Sequence, residues 1–439
     1  MATLRILDFA DSSYASDVQT LLALLRSGGL VAGDEQGSVD VPAVVREIIE
    51  QVRAGGDAAA AAWTNKLDRA AIAADAIAVP AAELARAHRQ ADPAFLALIR
   101  QVRDNIRAYQ EHIRHRDPLP LVRGGRKLGV RYTPVDRVGV YVPGGRALYP
   151  STVLMTVVPA QVAGVREIAI ATPPTGGRVS NMALALAAEL GISEVLQLGG
   201  AVAIAALAHG TSSIRPVQKI VGPGNAFVAE AKRQLFGRVG IDSVAGPSEV
   251  VIVADDRAEP SHVAADLLAQ AEHDPGASVL VTPSRALARA VVAEVDAQLP
   301  ALERGAAAKS SIARYGAAVV TPSLQAACDL ASDLAAEHVQ IITADDSACL
   351  ARIRHAGAVF VGAHSPVPLG DYVAGPSHVL PTGGTAKVFG PLSVNDFLKA
   401  TSVIEYDAAA LAEDGPAVRD FATREGLTAH AAAVRVRGA

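Results

Sequence analysis

The sequence predicts an α/β protein built as two domains with mainly parallel sheets. Short β-branched runs alternate with alanine- and leucine-rich helical stretches between Glu167 and Ala363, the pattern that crossover helices between parallel strands produce. Their summed length exceeds what one sheet holds comfortably. The 439 residues, 50% hydrophobic and 19% charged, supply core for two or three domains at about 150 residues each.

Taken in order, the start carries Asp8 where a secretory leader needs an unbroken apolar core. No later apolar run reaches the roughly 18 residues that span a bilayer. A cytoplasmic protein without membrane contact is expected. Val45, Ile48, Ile49 and Val52 then recur at helical spacing, with Pro42 in the first turn and Gly55 past the end, which marks an amphipathic helix. Residues 127–134 and 137–145 alternate with period two on either side of Pro134-Val135-Asp136. Val138, Val140 and Val142 share one face of the second run, leaving Tyr141 on the other. Strands are expected at 167–174, 194–200, 219–225, 248–255, 278–283, 339–345 and 358–363, with helices at 181–191, 203–210, 226–235 and 262–273. Periodicity weakens past Leu380, where 383–407 reads as irregular backbone plus a short helix before a helical tail at 423–438. Such a tail needs a surface to dock on.

The formal charge of −5, with both signs interspersed, offers no basic field for a nucleic acid or an anionic membrane. Cys328 and Cys349 form no C-x-x-C pair, so a disulfide framework and a thiolate zinc site are both excluded. A bound metal would need histidine, carboxylate or amide ligands. Ligand sites of α/β sheets lie beyond the carboxyl ends of strands, which points to the Gly-Pro loops at 222–225, 246–249 and 375–378.

Four pairs of residues could carry chemistry. Gln270 and His273, three apart on a helix, lie about 60° from each other and away from its apolar stripe, although a solvated helix end fits the spacing too. Glu272 points elsewhere. Glu337 and His338 sit where a helical stretch passes into a strand, so both side chains can reach a crevice, and carboxylate beside imidazole suits proton transfer near neutral pH. A capping pair would look the same. Asp371 and His378 lie in a Gly/Pro-rich loop, and Glu425 and His430 in the tail. The other seven histidines show no partner pattern. No G-x-G-x-x-G, P-loop, H-E-x-x-H or G-x-S-x-G motif occurs.

In wording and order, seven segments resemble one family. VGVYVPGGRALYPS, KIVGPGNAFVAEAKRQ, AGPSEVVIVAD, AADLLAQAEHD, AAEHVQI, GDYVAGPSHVLPT and LTAHAAAV are similar to the motifs of histidinol dehydrogenases. The resemblance implies two incomplete Rossmann-like α/β domains, a small N-terminal helical segment at 1–28 and an extended helical C-terminal tail at 386–439. The first α/β domain would comprise 29–138 and 247–385, the second 139–246. It further implies one zinc ion per subunit, held by Gln270, His273, Asp371 and His430, the last supplied by the partner of a homodimer. L-histidinol would be oxidised to L-histidine in two NAD-dependent steps, with His338 as base and Glu337 activating water for the aldehyde step. Ser248 and Glu425 match substrate contacts beside the zinc ligands and His338. Tyr141 and Asn225 match NAD contacts, and Val202 stands where the family usually has a glutamine contact.

Three other readings fit part of this pattern. A related zinc and NAD enzyme could oxidise a different polar alcohol, such as a sulfonated propanediol, although Glu425 would repel an anion. A zinc hydrolase would use the metal, Glu337 and His338 but leave Tyr141 and Asn225 without a task. A non-catalytic remnant is opposed by the presence of every matched zinc and proton-transfer residue.

Overall fold

The computed structural model describes residues 4–26, 39–144, 149–244, 246–273 and 275–438. The expected boundary at 28–29 and parts of three motifs, at 145–148, Ala245 and Asp274, lie outside the described residues.

Two parallel sheets carry the chain. The larger has the order Arg5–Asp8, Ala317–Val320, Gly276–Thr282, Ser248–Ala254, His338–Ile342, Ala358–Val361, and the smaller the order Glu194–Leu196, Glu167–Ala171, Arg137–Tyr141, Lys219–Val221, Gly240–Ile241. In the smaller sheet, and in the larger from Ser248–Ala254 onward, winding starts at an inner strand, runs to one side and then reverses to the other, which is the doubly wound pattern. The strands are nearly continuous runs of Val, Ile and Ala because both faces are covered. Val250 and Ile252 enter one buried cluster while Val251 and Val253 enter another. Val138 and Val140 likewise face one cluster and Tyr141 a second. Each such aliphatic residue contributes about 1.5–3 kcal/mol of gross burial. The expected pair of α/β units with mainly parallel sheets is thus observed.

The N-terminal segment adds a four-residue strand, Arg5–Asp8, to the edge of the larger sheet beside its helix Tyr14–Arg26. The first long helix starts at Val41, where the Asp40 side chain accepts from the Ala43 amide, and it breaks at Gly56 (φ 53°, ψ −136°) before continuing to Asp68. Glycine tolerates that conformation, so the break falls one residue from the expected stop. Helices Val41–Asp68, Ala81–Gln90 and Pro93–Ile113 bury their apolar faces in the two clusters of the smaller sheet. This packing differs from the expected grouping of 29–138 with 247–385.

The runs around Pro134-Val135-Asp136 do not pair with each other. Arg126–Pro134 belongs to a separate antiparallel sheet with Leu121–Arg123 and Leu398–Tyr406, while Arg137–Tyr141 enters the smaller parallel sheet. Leu398–Tyr406 corrects the expected irregular backbone at 383–407. Eight of its nine residues are exposed, so both faces meet solvent and no alternation marks it; nine-residue pairing with Arg126–Pro134 forms it instead. Helices Ala408–Arg424, capped by Asp407, and Thr428–Arg435 complete the tail. Among the described residues no helix is long and apolar enough to cross a membrane.

Glu189 ties three helices of the smaller unit together: Arg100 donates to its two oxygens at 2.7 and 2.9 Å, and His88 lies at 2.7 Å. The Arg100 bonds pull its carboxyl down to about 2, against burial, with His88 helping. A depressed carboxylate contributes stability above its unfolded value near 4.5, and that stability is lost as pH falls toward 2. The Arg100 side chain is half exposed, which screens the gain to about 1–2 kcal/mol. Glu189→Gln is expected to be less stable by that amount at pH 7 and to reach parity with the parent only below about pH 2, where the folded carboxyl is protonated too. A deficit independent of pH in urea titrations would contradict this origin.

Candidate active site

The candidate residues gather at the amino ends of two neighbouring strands of the larger sheet. Ser248 opens the strand Ser248–Ala254, and His338 opens the adjacent His338–Ile342, which pairs with it in parallel. The expectation of carboxyl-end loops therefore holds for 222–225, which follows Lys219–Val221, and fails for 246–249, which precedes its strand. At the true carboxyl ends stands Asp255, accepting from the Ala344 and Arg257 amides at 2.8 and 3.0 Å.

The helix Leu324–Leu334 ends on Ala335 in the left-handed conformation (φ 49°), which turns the chain sharply and delivers Glu337 and His338 to the crevice. Glu337 is 8% exposed and accepts from the Ser248 hydroxyl and, at 3.2 Å, from the Glu249 amide. The Gln270 amide nitrogen donates to Ser248 Oγ at 2.7 Å. His338, 3% exposed, places Nδ1 3.2 Å from the Glu249 carbonyl. A carbonyl only accepts, so Nδ1 carries the hydrogen and Nε2 keeps its lone pair. That Nε2 is buried without a hydrogen-bond partner, 3.7 Å from Asp371 Oδ1.

Burial governs the charges here. It lowers the His338 pKa below the ordinary imidazole value, with Asp371 opposing, so the ring is neutral near pH 7. Burial pushes Glu337 up to about 7, opposed by the Ser248 bond, and Asp371 up to about 6. Glu249 is pushed up to about 8 by burial and then by the Glu337 carboxylate. Residue patterning did not single out Glu249: its backbone N–H and C=O hold Glu337 and His338, while its side chain accepts from the Gly383 amide at 3.0 Å. A main-chain role leaves no side-chain signature.

Asp371 stands on the short helix Val367–Tyr372, and its loop bridges the two sheets. His378 Nδ1 donates to the Asp371 carbonyl at 2.9 Å, its Nε2 lies 3.3 Å from Thr152 Oγ1, and the Asn105 amide donates to Val373 O at 3.0 Å. His378 thus acts on the loop that presents Asp371. Gln270 is buried on the helix Pro260–Ala271, but His273 lies beyond its end, so the two are related by a terminal turn and not by helical spacing. His273 meets solvent just past the helix end, and surrounding protein disfavours its charged form, with Glu337 opposing this and His338 adding to it. Glu425 and His430 are elsewhere. Both are exposed and line a cleft of about 710 Å³ with Ile404, Tyr406, Val418 and Phe421.

The sequence profile of histidinol dehydrogenase matches residues 32–438. The chain belongs to the histidinol dehydrogenase family. It is 49% identical over 405 residues to the histidinol dehydrogenase of Geobacillus kaustophilus, covering 92% of this chain and 95% of that one. The Bacillus subtilis relative is 48% identical over 405 residues, covering 92% and 94%. The crystal structure of histidinol dehydrogenase from Elizabethkingia anophelis superposes with a TM-score of 0.91 at 29% identity, covering 100% and 98%.

Of the three residues expected to contact NAD, Asn225 is exposed at the start of the helix Ala226–Leu235, where its side chain accepts from the Phe227 and Val228 amides. Tyr141 faces away from the valines as expected, but that face is covered. The residue is 4% exposed, and its hydroxyl accepts from the Gly200 amide at 3.1 Å. Its ring is therefore not available as an outward contact. Val202 is 0% exposed inside the helix Gly200–His209, so it packs the core and does not reach a ligand.

Proposed function

We propose that this chain catalyses the NAD-dependent oxidation of L-histidinol to L-histidine through the bound aldehyde. The observation that carries the reading is His338: a buried, neutral imidazole whose Nδ1–H is fixed on the Glu249 carbonyl and whose Nε2 is free to accept a proton. In the alcohol step Nε2 takes the hydroxyl proton, and bound NAD would be the hydride acceptor. In the aldehyde step Glu337 takes a proton from the attacking water, and His338, its first proton passed to solvent, deprotonates the resulting hydrate, for which a second NAD would be the hydride acceptor. Ser248 and Glu425 are proposed substrate contacts. A cytoplasmic location belongs to the same reading.

Gln270, His273 and Asp371 offer an amide oxygen, an imidazole nitrogen and a carboxylate, a donor set suited to zinc. Among the described residues no three His, Cys, Asp or Glu side chains form a metal-holding cluster by themselves, and a fourth donor is needed. We assign it to His430 of a second copy. The tail supports this: Ile404 and Phe421 are 72% and 70% exposed on the cleft that His430 lines, an apolar surface suited to docking. Zinc bound there would orient the substrate and stabilise developing charge. The cofactor fits the smaller sheet, because Asp255 would repel a pyrophosphate at the crevice of the larger one, whereas Asn225 opens a helix whose amino end favours anions.

Zinc-loaded protein with NAD and L-histidinol is expected to yield two NADH per substrate. No NADH would overturn the reading, and turnover of other polar alcohols alone would replace its substrate. Glu337→Gln is expected to slow oxidation of L-histidinal by about 10²-fold or more and the alcohol step by less than about tenfold, measured by single turnover from each substrate. Equal slowing would remove the water-activating role from Glu337.

A further inference from the structure

The smaller sheet reverses its winding between Arg137–Tyr141 and Lys219–Val221, and the loop leaving the second of these strands begins at Gly222. Both polar groups of this glycine are held by one buried ion pair. Its N–H donates to Asp242 Oδ2 at 2.7 Å, and its carbonyl accepts from Lys232 Nζ. Lys232 and Asp242 meet at 2.6 Å with side chains 2% and 4% exposed, and the Ser243 amide adds a bond to Asp242 Oδ1 at 2.8 Å. Gly222 has φ +118°, and a Cβ there would lie 2.1 Å from the Tyr141 carbonyl oxygen. The loop thus presses against the neighbouring strand at the point of reversal.

Taking two ions out of water is costly, and a well-packed apolar pair would serve stability as well. What the ions add is direction: they fix the orientation of the peptide groups on both sides of Gly222. Asn225 follows three residues later and caps the helix Ala226–Leu235; Lys232 stands on that same helix and ties it back to the loop. We propose that Lys232 and Asp242 are positioning residues for the cofactor: they hold the 222–225 loop and the start of its helix in the conformation that receives NAD. This rests on the proposed NAD role of Asn225.

The test uses the zinc-loaded full chain. Lys232→Met/Asp242→Leu removes both ions without leaving one unpaired, and Asp242→Asn keeps shape and an acceptor while removing the charge. The double variant is expected to raise KM for NAD about tenfold, and Asp242→Asn about threefold. KM for L-histidinol and kcat at saturating NAD should change less than about twofold, the split expected of a weakened binding loop. An unchanged KM for NAD, or equal changes in both KM values, overturns the proposal. If the double variant does not fold, Asp242→Asn decides by the same comparison. Failure of the parent to form NADH from L-histidinol would instead remove the functional reading, whereas a normal parent with indifferent variants removes only the positioning role.

Discussion

His338→Asn is expected to lower kcat for L-histidinol oxidation by about 10³-fold, the usual contribution of a positioned general base. Asparagine can still offer its amide nitrogen to the Glu249 carbonyl, where His338 Nδ1 sits at 3.2 Å, so the backbone contact survives. What disappears is Nε2, the buried lone pair left without a partner. KM for L-histidinol should move less than about threefold, because the proposed substrate contacts at Ser248 and the metal ligands are untouched. Initial rates of NADH formation at saturating NAD measure both quantities. A variant retaining more than about a tenth of the parental kcat would show that another group takes the proton.

Why this pair was legible while others were not follows from how each is placed. Glu337 and His338 stand at a helix-to-strand junction, and a junction leaves a mark: an apolar helical run stops at Leu334 and a β-branched run starts at Val339. The parallel strands were legible because double-sided burial forces continuous Val, Ile and Ala runs. Leu398–Tyr406 was not, since a strand exposed on both faces has no hydrophobic face to betray it. His273 misled through the helix end: periodicity carries the helix to residue 273, yet the backbone leaves it after Ala271.

Tyr141 shows the opposite error, of trusting alternation too far. Tyr141 does lie opposite Val138 and Val140, but in a sheet buried on both faces the opposite side is still core. The eight apolar residues from Ala201 to Ala208 around Val202 carried the same warning, because a helix apolar all round is buried all round. The polarity of the larger sheet was hidden for another reason. Which strand end carries chemistry depends on where the second unit and the 371–378 loop pack, and those contacts, Thr152 with His378 and Asn105 with Val373, join residues far apart in sequence.

Loss of metal and of activity together is expected for His430→Ala, by at least about 10²-fold in turnover, while the protein stays folded. His430 is exposed on the helix Thr428–Arg435, so its removal opens no cavity and should cost less than about 0.5 kcal/mol. It belongs to a cleft formed only by residues between Ile404 and His430, which shares no lining residue with the Ser248, Glu337 and His338 crevice. Completion by a second copy makes a demand that completion within one chain does not. In a hybrid of a His430→Ala chain and a His338→Asn chain, one site combines both lesions and the other receives an intact crevice from the first chain and an intact tail from the second. Random pairing makes half of the dimers hybrids, each with one working site of two, so co-expressed variants should recover about a quarter of parental activity from two inactive parents. Each hybrid should hold about half the parental metal, because only one of its two sites receives an intact tail. No recovery, with hybrids verified by mass, would place His430 in the site of its own chain or outside it altogether.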